Sequence, residues 1–169
     1  MDKYLPKEKF ILDACCGGRM MWFNKKHPNC LYVDKRTLND SHPTHNVLPD
    51  RVMDFRNMDL PDESFKLVVF DPPHIRRSED NKGHIARDYG VLSTTQWKSD
   101  IKQGFDECWR VLKNYGVLIF KWSSVEIKLK DVLNVINKKP LFGHKTRQHK
   151  NMISSTHWFC FMKIPDKGN

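Results

Sequence analysis

Phe10-Ile11-Leu12-Asp13-Ala14-Cys15-Cys16-Gly17-Gly18 is the stretch from which the rest of the 169-residue chain can be read. An apolar run this short that breaks at once into small residues is a buried strand entering a tight turn. Met20-Met21-Trp22-Phe23, ahead of Lys25-Lys26-His27-Pro28, reads as a short helix stopped before the proline. Cys30-Leu31-Tyr32-Val33-Asp34 is a second apolar run and, like the first, delivers a carboxylate at its end. Strand, turn, helix and strand make a βαβ unit. Asp13 and Asp34 are 21 residues apart, near the roughly 20 that separate the first loop of a nucleoside-binding unit from the acid that accepts hydrogen bonds from its ribose.

On the C-terminal side, residues 37–50 are polar and read as a loop, and Arg51-Val52-Met53-Asp54-Phe55 reads as a third, weaker strand. Leu67-Val68-Val69-Phe70 is a fourth strand that ends at Asp71-Pro72-Pro73-His74, because prolines cannot continue a central strand. Residues 75–95, polar and containing Gly83, Tyr89 and Gly90, have the length of a lid or binding loop. Trp97, Ile101, Phe105, Cys108, Trp109 and Leu112 recur at spacings of three and four, one face of a helix that Thr94 or Thr95 would cap. Val117-Leu118-Ile119-Phe120 is a fifth strand leading into Lys121-Trp122, and Val125 to Ile136 fits an amphipathic helix. Residues 140–143 and 157–162 read as two closing strands. Alternating strands and helices imply an open α/β sheet with its ligands at the carboxyl ends of the strands.

Such a chain makes one domain, residues 1–169, since about 150 residues already bury about 68–70% of their unfolded surface. No apolar run approaches the roughly 20 residues of a spanning helix. MDKYLPKEKF lacks the apolar stretch of a secretion signal, so a soluble, cytoplasmic protein with no membrane partner is expected. Five cysteines without a C-x-x-C pair make neither a disulfide framework nor a four-thiolate zinc site, and no metal is expected. The charge is uneven. Residues 110–169 carry twelve basic and three acidic side chains, which is the whole of the net +9. A basic lobe of this kind suits a phosphate polymer, with Lys138, Lys139, Lys145, Arg147 and Lys150 its expected contacts and Lys121 placed to line the substrate channel.

Asp13, Asp34, Asp54 and Asp71 all fall at strand ends on one expected rim. Asp71-Pro72-Pro73-His74 also carries a chemical argument of its own. An exocyclic amine on a base is a poor nucleophile because its lone pair is delocalised into the ring. If the Asp71 carboxylate and the Pro72 carbonyl both accept hydrogen bonds from that NH₂, the nitrogen becomes more tetrahedral and its lone pair can be aimed. The prolines, Pro72 and Pro73, hold the backbone that aims the two acceptors. A charge-assisted bond strengthened by about 1.5–3 kcal/mol gives roughly 10–150-fold, less than the roughly 7–11 kcal/mol that in-line positioning can supply. His74 offers a flat ring that can stack on an extruded or single-stranded base.

With these residues in view, the chain resembles the class I S-adenosylmethionine-dependent methyltransferases over roughly residues 8–163. ILDACCGGR is similar to their first motif in a variant with an Asp-x-x-Cys-Gly segment, and FDPPH resembles the Asp-Pro-Pro-aromatic motif of the amino-methyltransferases. The CCGGRMMWF opening is similar to that of small bacterial and phage methyltransferases. The resemblance implies a single Rossmann-like domain, a mostly parallel seven-stranded sheet with the last strand antiparallel, and S-adenosylmethionine as cofactor. It implies cofactor contacts from Asp13, Ala14, Cys15, Cys16, Gly17 and Arg19, a ribose-binding Asp34, an adenine site at Asp54-Phe55, and a catalytic Asp71-Pro72-Pro73-His74 whose Asp71 also borders the cofactor. Two positions depart from the pattern: Arg19 stands where many members have a third glycine, and His74 replaces the usual Tyr, Phe or Trp.

The expected function is therefore methylation of an exocyclic amine of a nucleic-acid base. RNA is favoured over DNA because the catalytic fold uses nearly the whole chain and leaves no separate module to read duplex grooves. Methylation of a small molecule or a protein amide is the alternative enzyme reading, and a non-catalytic nucleic-acid-binding module on the same fold is another. A nicotinamide dehydrogenase lacks support, because the G-x-G-x-x-G fingerprint is absent.

Overall fold

A computed structural model describes residues 8–39, 46–77, 83–145 and 155–165. In chain order they form β1 (Ile11–Asp13), β2 (Cys30–Asp34), β3 (Arg51–Val52), β4 (Phe65–Phe70), β5 (Arg76–Arg77), α1 (His84–Tyr89), β6 (Leu92–Ser93), α2 (Trp97–Val111), β7 (Leu112–Ser123), α3 (Leu129–Ile136), β8 (Phe142–Lys145) and β9 (Thr156–Met162). Seven strands make one sheet in the order β3-β2-β1-β4-β7-β9-β8. β3, β2, β1, β4 and β7 pair in parallel, and β9 runs antiparallel between β7 and β8. This is the open α/β sheet that the sequence pattern implies, and it is mostly parallel with the final strand antiparallel, as the family resemblance implies.

The short helix expected at Met20–Phe23 is absent, and the chain crosses from β1 to β2 by a series of turns. Gly17 and Arg19 both take left-handed backbone angles, φ 46° and 55°, which an α-helix cannot accommodate. The Arg19 N–H donates to the Cys16 carbonyl at 2.7 Å, and the Trp22 N–H to the Arg19 carbonyl at 3.2 Å. Trp22 is then pulled inward, its indole N–H donating to Asp13 at 2.7 Å. The third strand is two residues rather than five. Residues 75–95 are not a structureless loop: β5 and β6 pair in parallel, with α1 between them.

α2 lays Trp97, Ile101, Phe105, Cys108 and Val111 against the sheet, the three-and-four spacing visible in the sequence. Neither Thr94 nor Thr95 caps it, and no side chain hydrogen-bonds its first turn; the Ser93 hydroxyl accepts the N–H groups of Thr95 and Gln96 in the turn just ahead of the helix, each at 3.3 Å. Phe105 meets Phe161 at 5.1 Å between ring centres, and Phe120 continues the row to Phe70 at 5.7 Å and Trp122 at 6.0 Å. Trp122 is fully buried, with its indole N–H satisfied by the Ile127 carbonyl at 3.2 Å, so its role is packing. A buried aromatic of this kind removes about 150–250 Å² from water, worth about 4–6 kcal/mol before the entropy of ordering is subtracted. On the other face a smaller cluster of Cys16, Cys30 and Tyr32 is covered by Trp22.

Candidate active site

The carboxyl ends of β1, β2, β4 and β7 open onto a cavity of about 360 Å³, the size of a small-molecule site. Ala14 to Gly18 form one wall, Asp34 and Arg36 a second, Phe55 a third, and Asp71 to His74 with Lys121 the fourth. Tyr89 and Gly90, at the end of α1, border it as well.

Asp13 lies behind this wall rather than on it. Its carboxylate accepts the Trp22 indole N–H at 2.7 Å and the Cys15 N–H at 3.3 Å, and burial pushes its pKa up to about 7. Its part is to hold the first loop in place. The sign of the pH dependence follows: a carboxyl that holds its proton more tightly when folded stabilises the protein at low pH, and that contribution is lost as pH rises from about 4 to about 7. Asp13→Asn keeps an acceptor for Trp22 but cannot titrate. The melting temperature of the wild type is therefore expected to drop more between pH 5 and pH 8 than that of the variant; parallel curves would show that Asp13 does not titrate in this window.

From Ala14 to Gly17 the first loop does not present free N–H groups to a ligand. Those of Ala14 and Cys16 donate to the Val69 and Val33 carbonyls at 3.0 and 2.8 Å, that of Cys15 to Asp13, and that of Gly17 to Asp34 at 3.0 Å. What the loop offers is shape: a Cβ at Gly17 would meet nothing within 4 Å, so the backbone there faces open space. Burial pushes the Cys15 and Cys16 thiols up, and neither supplies a thiolate at neutral pH. Arg19 is a correction to the expected cofactor contacts. Its guanidinium donates to the Lys25 and Leu48 carbonyls at 2.7 and 2.6 Å, pairs with Asp50 at 3.1 Å and lies over the Tyr32 ring at 3.8 Å. It clasps the loop and does not line the cavity.

Asp34 is on the wall but fully engaged. Beside Gly17, it accepts the Arg36 backbone N–H, Nε and Nη2, each at 3.0 Å, which uses the roughly four acceptor positions of a carboxylate. Arg36 also donates to the Arg87 carbonyl of α1 at 3.0 Å, so one guanidinium ties the acid of β2 to the segment over the cavity. At the third strand only Phe55 reaches the cavity. Asp54 faces Arg56, with contacts of 2.9 and 2.6 Å; burial alone would raise its pKa, but the hydrogen bonds from Arg56 outweigh it and hold the carboxyl below its ordinary value. Arg56 goes on to the buried Asp100 at 2.9 Å, a structural chain of charges rather than an adenine contact.

Asp71 directly follows β4 and Lys121 lies near the end of the adjacent β7, each next to the paired Phe70 and Phe120, and the Lys121 ammonium donates to the Asp71 carboxylate at 2.6 Å. Burial raises the Asp71 pKa against the opposing pull of Lys121. Pro72 is buried and lines the cavity next to Asp71. His74 packs edge-on to Trp122, 6.3 Å between ring centres, and burial lowers its pKa, so it is neutral at pH 7, as a stacking ring should be. Met20, Met21 and Tyr89, which the sequence offers as pocket wall and as part of a binding loop, line the cavity, whereas nothing in the local sequence marks Arg36 for it and only the fold brings it there.

The expected nucleic-acid contacts separate in space. α3 starts at the carboxyl end of β7 and runs back along the sheet, so Lys138 and Lys139 emerge at the edge opposite the cavity. Lys138 lies 4.6 Å from the centre of the Trp109 ring, near the end of α2. These two lysines do not flank the active rim. Lys145 ends β8 in register with His157, which is itself paired with Trp122, and so lies on the rim side; Arg147 and Lys150 lie outside the described residues.

No protein-family model matches the chain, and no curated protein sequence does. Solved structures share its fold. The PH0226 protein of Pyrococcus horikoshii OT3 is 14% identical with a TM-score of 0.59, covering 90% of this chain and 81% of its own. The N-methyltransferase NodS of Bradyrhizobium japonicum WM9 is 11% identical with a TM-score of 0.57, covering 92% and 85%. A SAM-dependent methyltransferase of Methanosarcina mazei is 11% identical with a TM-score of 0.55, covering 95% of both chains. At such identities the likeness establishes the fold, that of the class I methyltransferases; the chemistry has to be argued from the site.

Proposed function

We propose that this protein is an S-adenosylmethionine-dependent methyltransferase that modifies an exocyclic amine of a nucleic-acid base, with RNA favoured over DNA. One observation carries the reading: the Gly17–Asp34 wall and Asp71-Pro72-Pro73-His74 open into the same cavity of about 360 Å³, so a donor held by the first lies beside an acceptor held by the second. S-adenosylmethionine supplies an electrophilic methyl group on a sulfonium centre. The residues present fit it. Asp34 is a carboxylate at the position for a ribose diol, the missing Cβ of Gly17 leaves room for a close approach, and Phe55 offers an apolar wall. Arg36 must release Asp34 for a diol to bind there.

The reacting amine falls to Asp71 and the Pro72 carbonyl. Both accept its N–H groups, which draws the lone pair out of the ring, and the rigid proline pair fixes where it points. The amine emerges with one proton too many, and the Asp71 carboxylate, with its raised affinity for protons, is placed to take it. His74 supports the ring of the base from the same loop.

Incubation with methyl-labelled S-adenosylmethionine and separate pools of ribosomal RNA, transfer RNA and DNA tests the reading. Label is expected in nucleic acid, with RNA ahead; label only in protein or in a small metabolite overturns it. Calorimetry with S-adenosylmethionine and NAD separates it from a dehydrogenase.

The placement of the basic residues sharpens a second expectation. Neutralising Lys145, Arg147 and Lys150 together should weaken nucleic-acid binding and flatten its dependence on salt by roughly one unit of slope per lost phosphate contact. Neutralising Lys138 and Lys139 should leave the slope unchanged. The measurement is affinity for a labelled RNA between 50 and 200 mM salt, roughly the range over which counterion release is resolved; equal effects of the two sets would contradict a docking surface on the segment that begins at Lys145.

A further inference from the structure

Lys121 occupies the carboxylate on which the proposed reaction depends. Its ammonium sits 2.6 Å from the Asp71 carboxylate, both side chains line the cavity, and they are only partly exposed at 28% and 20%. The pair is set by the backbone, since Asp71 and Lys121 follow the paired Phe70 of the middle strand β4 and Phe120 of its neighbour β7. The same ammonium also lies 5.6 Å from the centre of the Trp158 ring on the neighbouring strand.

We propose that Lys121 is a specificity-determining residue that restricts the acceptor to neutral, conjugated amines and amides and excludes alkylammonium groups such as lysine side chains and polyamines. The inference rests on the reading of Asp71 as the group that receives the acceptor nitrogen. Any nitrogen hydrogen-bonded to Asp71 shares that carboxylate with a fixed cation a few ångströms away. An alkylammonium there meets a like charge in a half-buried site, where screening is weak. A base amine carries no charge and meets none. Lys121, which faces the Trp158 ring as well as Asp71, keeps both neighbours while such an amine takes the acceptor positions of Asp71 that the ammonium leaves open.

Lys121 also sets the working range of Asp71. The titratable groups around this carboxyl are Lys121 of β7, His74 of its own loop, and Asp13 and Cys15 of β1 and the turn after it. Lys121 is the cation in direct contact and opposes the upward push of burial. Removing it should raise the pH at which Asp71 becomes a carboxylate, so the acid limb of any Asp71-dependent process moves to higher pH.

The test needs no turnover. Protein labelled with ¹³C at the aspartate side-chain carboxyls is prepared as wild type, Lys121→Met and Lys121→Arg, with the Asp71 resonance assigned by its loss in Asp71→Asn. Melting temperatures confirm that each variant is folded. The Asp71 titration midpoint is expected to rise in Lys121→Met and to return in Lys121→Arg; an unmoved midpoint overturns the role of Lys121. The single-stranded tetranucleotide ACGU and n-butylammonium are then titrated in separately. In the wild type the tetranucleotide should perturb Asp71 and n-butylammonium should not, whereas Lys121→Met should bind n-butylammonium at least about tenfold more tightly with no such gain for ACGU. Tight n-butylammonium binding by the wild type overturns the selectivity and leaves amine methylation standing. Failure of both probes to perturb Asp71 in every protein overturns the amine reading itself.

Discussion

Asp71→Ala is expected to lower methyl transfer by about 10²–10³-fold, the scale seen when one preorganised hydrogen-bonding group is taken from a reacting centre. Two losses add. The acceptor that pulls the amine lone pair out of its ring is gone, and Lys121, 2.6 Å from that carboxylate in the folded protein, becomes an unpaired cation facing the acceptor nitrogen. The double variant Asp71→Ala with Lys121→Met removes both charges and should recover part of the loss, because the repulsive group goes with the attractive one. Cofactor affinity, which rests on the opposite wall at Gly17, Asp34 and Phe55, should change by no more than about threefold, well under the roughly 1.4 kcal/mol of a tenfold change. Single-turnover methylation alongside calorimetric titration of S-adenosylmethionine measures the two quantities separately. Turnover within a few-fold of wild type would remove Asp71 from the chemistry; a parallel collapse of cofactor binding would make it a cofactor contact instead.

Gly104→Val should be strongly destabilising and should reach the cavity as well. A Cβ at this position of α2 would stand 2.4 and 2.7 Å from the Phe55 ring and 2.8 Å from the Phe70 ring. Neither ring can yield freely: Phe70 packs on Phe120 at 5.7 Å and Phe55 on Phe70 at 5.5 Å. Overpacking of this kind costs about 1–3 kcal/mol, and with two branched methyl groups added to a contact already too short, a loss near 3 kcal/mol is expected. For a chain of this length that is a fall of about 6–12 °C in melting temperature. The helix propensity gained by losing a mid-helix glycine, at most about 1 kcal/mol, offsets only part of it. Because Phe55 lines the cavity, its displacement by the new valine side chain should also weaken S-adenosylmethionine binding. A melting temperature within 2 °C of wild type, roughly the shift of a small surface change, with unchanged affinity would show that α2 simply lifts away from the sheet.

Much of the fold is legible in the sequence because it is written locally. The strand at Ile11–Asp13 is announced by the small residues that follow it, and the fourth strand stops at Pro72 because proline cannot donate to a ladder. α2 shows its buried face at helical spacing. The failures are local patterns overridden by distant contacts. Met20–Phe23 has the composition of a helix, but Trp22 is bound to Asp13 nine residues earlier, and Arg19 reaches Leu48 and Asp50, 29 and 31 residues away. A turn that joins three such partners cannot also close a helical ladder. Lys138 and Lys139 fail for a related reason: charge counted along the chain has no direction, and α3 carries the pair to the edge of the sheet away from the cavity.

By itself the sequence determined the order of the elements and the delivery of acids to strand ends, since both follow from residues within a few positions of one another. Only the tertiary structure decided what those acids do. Asp13 and Asp54 turn to structural partners, Asp34 is held by Gly17 and Arg36, and Asp71 is paired with Lys121, 50 residues further along the chain. An ion pair or a steric contact takes its strength from separations of a few ångströms in space, and that distance exists only after the strands have been laid side by side.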